Sequence, residues 1–208
     1  MSQVVKFSIV SFVFLVFVNL QAAWADRMPL TGWLGLMRYS MDESQISTGG
    51  QATPVLGYQA GVTTDVPMGE MFVFRSGAFY VQRNTTFNFS RNTGDISINY
   101  NYIDIPLEAV LVGNKFSLVL GADIGFKSSG KISGTGMWSN VSSRNMATND
   151  QNVIYPPHVG LGYNIKRNFE LQLMYESSTE LTTFGLASAP SLRVNTSAIG
   201  LRIGYSNF

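Results

Sequence analysis

From Tyr100 to Phe126 the chain reads YNYIDIPLEAVLVGNKFSLVLGADIGF, and apolar and polar residues alternate through nearly all of it. In the first run Ile103, Ile105, Leu107, Ala109 and Leu111 share one face, opposite Tyr102, Asp104, Pro106 and Glu108. Past Gly113-Asn114, Phe116, Leu118, Leu120, Ala122, Ile124 and Phe126 alternate with Ser117, Gly121, Asp123, Gly125 and Lys127. A period of two sustained this long is a strand signal that a helix cannot produce. Soluble sandwiches use strands nearer five or six residues. Strands about twice that length, apolar on one face and charged or glycine-bearing on the other, suit a barrel wall standing in lipid.

The amino-terminus predicts export. Lys6 supplies a positive n-region, Phe7 to Leu20 an apolar core, and Ala23-Trp24-Ala25 a small-residue cleavage site. Residues 1–25 are therefore read as a signal peptide, cleaved after Ala25, and 26–208 as one barrel domain with nothing appended. The apolar run falls short of the roughly 20 residues that a spanning helix needs. Removing the leader takes away Lys6 alone, so the 14 basic residues drop to parity with the 13 acidic ones. With no basic surplus to neutralise phosphates, nucleic acid is not an expected partner. Charged residues make up 13% of the chain, about half the share in soluble domains, in keeping with a wall that faces lipid. There is no cysteine, hence no disulfide and no thiolate metal site.

Taken in order, the alternation predicts eight strands: Leu30 to Met41, Val55 to Thr63, Met71 to Arg83, the two runs of the central hairpin, Pro157 to Tyr163, Phe169 to Glu176, and Val194 to Tyr205. Connections after the second, fourth and sixth are short; the others are longer and polar, the longest being Ser128 to Asn152. Short turns at one end and longer loops at the other is how an outer-membrane barrel threads. The fold class expected is all-β, an eight-stranded antiparallel transmembrane barrel with up-and-down meander topology.

Particular stretches sharpen this. FRSGAFYVQR (Phe74 to Arg83) is followed by NYIDIPLEAVL (Asn101 to Leu111), LVLGADIGF and the terminal LRIGYSNF. With these the chain resembles the small outer-membrane β-barrel family that includes PorT-like and OmpA/OmpX-like barrels. The resemblance implies the Gram-negative outer membrane, lipid as the surrounding partner, and recognition of the carboxy-terminal strand by the barrel-assembly machinery. Phe208 departs from the pattern, being out of phase with Ile199, Leu201, Ile203 and Tyr205. The family fold hosts many functions, so it implies a function only weakly.

The inward positions predict a charge network of Arg38, Arg75, Arg83, Lys127 and Arg202 against Asp104, Glu108, Asp123, Glu170 and Glu176. Charge in a narrow eight-strand interior is tolerable only when paired. Arg38 is expected inside with Leu34 and Leu36, leaving Trp33, Met37 and Tyr39 toward lipid. A two-residue turn at Gly113-Asn114 would pair Val112 with Lys115 and set Asp104 against Asp123, with Arg83 or Arg75 bridging the carboxylates. His158, the single histidine, is expected against Met174 with Glu176 diagonal. No serine is expected beside it and no second histidine supports a metal, so no catalytic residue, metal ligand or cofactor is assigned. Trp33, Tyr39, Phe72, Tyr80, Tyr100, Phe116, Phe126, Tyr175 and Tyr205 are read as interfacial girdles. Trp138, in the long loop, is the candidate for recognising an extracellular ligand. The leading expectation is a monomeric, non-enzymatic barrel with a structural or surface-interaction role. A narrow pore for ions or small solutes is the alternative, and a lipid-modifying enzyme comes third.

Overall fold

A backbone group left unpaired in hydrocarbon costs several kcal/mol, so strands can cross a membrane only if the last pairs with the first. The chain meets this condition. The computed structural model describes residues 29–41, 51–89, 94–136, 147–166, 168–186 and 189–207. The expected leader, Trp138 and Phe208 lie outside the described residues.

Ten strands follow in order: β1 Leu30–Met41, β2 Gln51–Pro67, β3 Phe72–Phe89, β4 Gly94–Val112, β5 Phe116–Gly134, β6 Ala147–Asp150, β7 Val153–Ile154, β8 Pro157–Lys166, β9 Phe169–Leu186 and β10 Ala189–Asn207. Eight of them form an antiparallel ring in the order β1-β2-β3-β4-β5-β8-β9-β10, and β10 returns to β1 from Leu30↔Asn207 to Met41↔Thr196. The short β6 and β7 lie in the β5–β8 connection and pair with β9 and β5.

The outer face carries an apolar belt, with Leu34, Leu36, Leu56, Phe72, Phe116, Leu161 and Leu201 all exposed. β1 takes the phase opposite to expectation. Trp33, Met37 and Tyr39 are buried inside, while Leu34, Leu36 and Arg38 point outward. LTGWLGLMRYSM is apolar on both faces, so alternation does not set its phase; the interior partners do. The Trp33 Nε1–H donates to Thr63 Oγ1 at 2.8 Å, and the ring lies in space left by Gly204. Arg38 ends up where the outer apolar belt stops, with Ser40 and Ser197 beyond it.

The register at the central hairpin also differs. Val112 pairs with Ser117, closed by the Gly113 N–H to the Phe116 carbonyl at 2.8 Å, so Asp104 faces Gly125 and Asp123 faces Pro106. A shift of two residues leaves every side chain on its expected face. Between β8 and β9, His158 sits directly opposite Glu176, and Gly160 takes Met174.

Much of what reads as polar loop is strand. β3, β4, β5, β9 and β10 continue past the apolar belt, and there the faces exchange polarity. Phe87, Ile96, Ile98, Tyr100, Ile132, Leu181 and Val194 form a buried cluster inside. Polar side chains tie the outside, Gln82 to Asn99 at 3.3 Å and Thr86 to Ser97 at 3.2 Å. Tyr100 therefore joins Trp33 and Tyr39 in the interior, away from any girdle, whereas Phe72, Tyr80, Phe116, Tyr175 and Tyr205 are exposed on the outer face.

A Cβ on Gly204 would come 2.7–2.8 Å from Trp33 ring carbons, whereas one on Gly32 meets nothing within 4 Å. Gly204→Leu is expected to lower unfolding stability by about 1–3 kcal/mol through overpacking at the β1–β10 closure. Gly32→Ala should stay within about 0.5 kcal/mol of the unaltered barrel. Urea titration followed by the heat-shifted gel band measures both.

Candidate functional site: the charged barrel interior

Every inward charge must find a partner within a lumen a few side chains wide, and three arginines organise the pairing. Arg75 on β3 stands near the short-turn end. Its Nε donates to Asp65 Oδ1 at 2.8 Å, and its Nη2 donates to Asp65 Oδ2 at 3.0 Å and Glu170 Oε2 at 3.2 Å. Glu170 also accepts from Ser117 Oγ at 2.6 Å and Gln172 Nε2 at 2.7 Å. This group floors a cavity of about 450 Å³ rimmed by Lys115, Asn164 and Lys166.

Deeper in, Arg202 Nη2 holds both oxygens of Glu108, at 2.7 and 3.0 Å, while its Nε donates to Gln172 Oε1. The Trp33 ring faces both guanidinium groups, Arg202 at 4.7 Å and Arg75 at 5.0 Å. Such contacts offset part of the cost of burying a cation. Glu108 is fully buried and meets a second partner, His158 Nε2 at 3.3 Å. The other ring nitrogen, Nδ1, is 3.6 Å from Asp123 Oδ2.

The third arginine, Arg83, lies between Asp104 Oδ2 at 2.8 Å and Glu176 Oε2 at 2.9 Å, with Tyr102 and Tyr39 rings at 5.2 and 5.9 Å. Its bond to Glu176 is well aimed. Asp104 is close enough for an ion pair, but neither of its oxygens receives a directed hydrogen bond. Lys127 rests its Nζ over the Tyr100 ring at 3.7 Å. Above that, the interior turns apolar.

The bridge expected between Asp104 and Asp123 thus takes a different form. Arg83 joins Asp104 to Glu176, and Asp123 goes to His158, because the two-residue register shift moves Asp123 away from its namesake. Arg38 stands outside the network on the outer face. Asp65 was not among the expected members, yet it is the main partner of Arg75. Continuing the inward series of β2 from Thr63 by one step would have found it. Among the described residues, no group of three or more histidine, cysteine or acidic side chains is arranged to hold a metal ion.

Arg83 is 1% exposed and neutralises two carboxylates, so Arg83→Met leaves both without their cation. The expected loss is about 3–5 kcal/mol of unfolding stability. Arg38→Met, on the outer face, should shift it by less than about 0.5 kcal/mol. Denaturant titration in detergent compares the two variants.

Comparison with known proteins adds the family. No curated protein sequence matches the chain. Solved structures resemble its fold. Ail, the attachment invasion locus protein of Yersinia pestis, in complex with the heparin analogue sucrose octasulfate, is 15% identical, with 86% of this chain and 99% of that one covered at a TM-score of 0.44. The outer membrane protein OprG of Pseudomonas aeruginosa is 13% identical, covering 86% and 95% at a TM-score of 0.44. The outer membrane protease OmpT of Escherichia coli is 8% identical, covering 86% and 96% at 0.36. The family model described as the outer membrane protein beta-barrel domain matches residues 31–178, and the chain belongs to that family, a β-barrel of the Gram-negative outer membrane.

Proposed function

We propose that this barrel is a non-enzymatic, non-conducting outer-membrane protein with a structural or surface-interaction role. The observation that carries the reading is the filling of the interior in two stacked kinds of layer. Ion-paired arginines occupy the belt region, and the buried cluster of Phe87, Ile98, Tyr100, Ile132 and Leu181 occupies the lumen beyond it. A solute entering the 450 Å³ mouth at the short-turn end meets first Arg75 with Asp65 and Glu170, then the Arg202–Glu108 and Arg83 groups, then the buried apolar cluster. The surroundings of His158 support the non-enzymatic part. Its two nitrogens face carboxylates, and Ser117, which a hydrolase would need beside the imidazole, bonds Glu170 instead.

In this reading residues 1–25 direct export and are removed after Ala25, the carboxy-terminal strand is presented to the barrel-assembly machinery, and the mature barrel is a monomer. The end opposite the short turns, where the strands stand clear of the apolar belt, meets the surroundings of the cell. Trp138 in the 128–152 region is the residue we would test first for contact with an extracellular ligand.

Single-channel recording on refolded protein in a planar bilayer tests the role. The expected result is silence from protein whose folding is verified by heat-shifted gel mobility. Steady openings altered by Arg75→Met would turn the interior into a path and replace this reading with the pore. Amino-terminal sequencing of protein from outer membranes is expected to begin at Asp26.

A further inference from the structure

Beyond the apolar belt the outward faces of β3 and β4 are built of amides and hydroxyls. On β3 the exposed Tyr80 is followed by Gln82, Asn84, Thr86 and Asn88; on β4 Ile103 gives way to Asn101, Asn99 and Ser97. Asparagine is depleted in strands and threonine favoured, so an asparagine repeated on paired strands is there for its chemistry. An amide offers two donors and an acceptor on one planar group. Cross-strand bonds use part of that capacity. Gln82 Nε2 donates to Asn99 Oδ1 at 3.3 Å, leaving the Asn99 nitrogen and the Gln82 carbonyl unspent. Surfaces that need only be wetted carry about 25–35% charged side chains, and neither of these runs holds one.

Cations stand at the two ends of a row across this face. Arg38 of β1 pairs with Leu56 of β2, whose carbonyl accepts from Asn84 Nδ2 at 3.0 Å. Asn84 pairs with Asn99, and Asn99 with Lys131 of β5. Arg38 and Lys131 are exposed, and neither has an ion-pair partner among the described residues. With strands about 4.8 Å apart and tilted about 35–45°, a row crossing from β1 to β5 climbs roughly 11–13 Å. The sequence shows the climb. On β1 the exposed Leu36 is the next outward residue below Arg38, whereas on β3 Gln82 comes between Asn84 and Tyr80. The row begins with a cation at the edge of the belt, passes two amides, and ends with a cation clear of it.

We propose, resting on the outward orientation of this end given above, that the face binds the phosphorylated saccharide headgroup of an outer-leaflet glycolipid. Arg38 meets a phosphate at the belt edge, Asn84 and Asn99 meet sugar hydroxyls, and Lys131 meets an anionic group farther out. The face is continuous with the lipid-covered belt, so the polar part of the lipid on that belt lies against it. Uncharged amides suit the hydroxyls of a sugar, each of which both donates and accepts. The unpaired cations suit phosphate, which a guanidinium can hold by two parallel hydrogen bonds. A phospholipid headgroup layer is about 5–7 Å thick, too thin to span the climb from Arg38 to Lys131.

Refolded, nitrogen-15-labelled protein in detergent micelles is titrated with purified lipopolysaccharide and, separately, with phosphatidylglycerol at equal charge. Saturable shifts of the Asn84 and Asn99 side-chain amides are expected with lipopolysaccharide alone. Arg38→Gln should weaken binding about tenfold, the scale of one hydrogen bond to a charged group, and Asn99→Thr severalfold. Arg193→Gln removes an exposed cation of β10 outside this face and should bind as the unaltered protein does. Equal shifts with phosphatidylglycerol, full affinity in both face variants, or an equal loss in Arg193→Gln would overturn the proposal. Heat-shifted gel mobility checks folding; should Asn99→Thr fail to fold, Arg38→Gln decides, since Arg38 stands outside the interior network. The chain has no cysteine, so Ser133→Cys, exposed on β5, reads the orientation separately through a membrane-impermeant maleimide on intact cells. Labelling without lipopolysaccharide binding removes this proposal alone; no labelling removes the orientation and this proposal with it.

Discussion

Hydrocarbon offers a strand no hydrogen bonds, and the ring of eight strands is the consequence. With each long strand paired on both sides through the belt and β10 returned to β1, no edge is left in lipid. Closure with eight strands fixes a lumen only wide enough for side chains to fill. The inward residues therefore cannot be chosen one at a time. A large ring needs a glycine opposite, as Trp33 has Gly204, and each charge needs a counter-charge within reach.

The interior solves the second requirement by sharing. Arg75 serves Asp65 and Glu170, Arg83 serves Asp104 and Glu176, and Glu108 is served by Arg202 and His158. Arg75–Glu170, Arg83–Glu176 and Arg202–Glu108 join strands far apart in the sequence and tie opposite walls of the ring together, while Arg75–Asp65 and Arg83–Asp104 link neighbouring strands. Aromatic faces complete the scheme, with Trp33 against both Arg75 and Arg202 and Tyr102 against Arg83. Aromatic rings can face a guanidinium without competing for its in-plane N–H donors, which stay free for carboxylates.

How much of this the sequence discloses depends on whether each strand has one polar face. The central hairpin does, and its inward residues Asp104, Glu108 and Asp123 stand on the faces that alternation assigns. β1 does not. With leucines on one side and Trp33, Met37 and Tyr39 on the other, its phase is decided by Thr63 and Gly204 on neighbouring strands, which no local pattern contains. The turn at Gly113 illustrates a second limit. A dipeptide signals a turn but not its length, and a two-residue error moves Asp104 from Asp123 to Gly125 without disturbing either face. The strand extensions were obscured by composition. NTTFNFSRNTGD reads as loop by its asparagines and threonines, yet Thr85 and Phe87 alternate with Asn84, Thr86 and Asn88 in strand phase.

The change of polarity along those extensions has one cause at both faces. Where lipid surrounds the wall, an apolar side chain gains little hydrophobic stabilisation by turning inward, since acyl chains are as apolar as a leucine side chain. Cohesion there has to come from ion pairs and close packing, and the belt region is where the arginines lie. Past the belt the outside is water, and the same apolar side chain now gains the full benefit of burial. Phe87, Ile98 and Ile132 turn inward at the height where Asn84, Thr86 and Asn99 take the outer face. A single strand such as β3 thus reads polar-in at Arg75 and apolar-in at Phe87. Its outer face changes along the same length, from Phe74 and Tyr80 to Asn84 and Thr86.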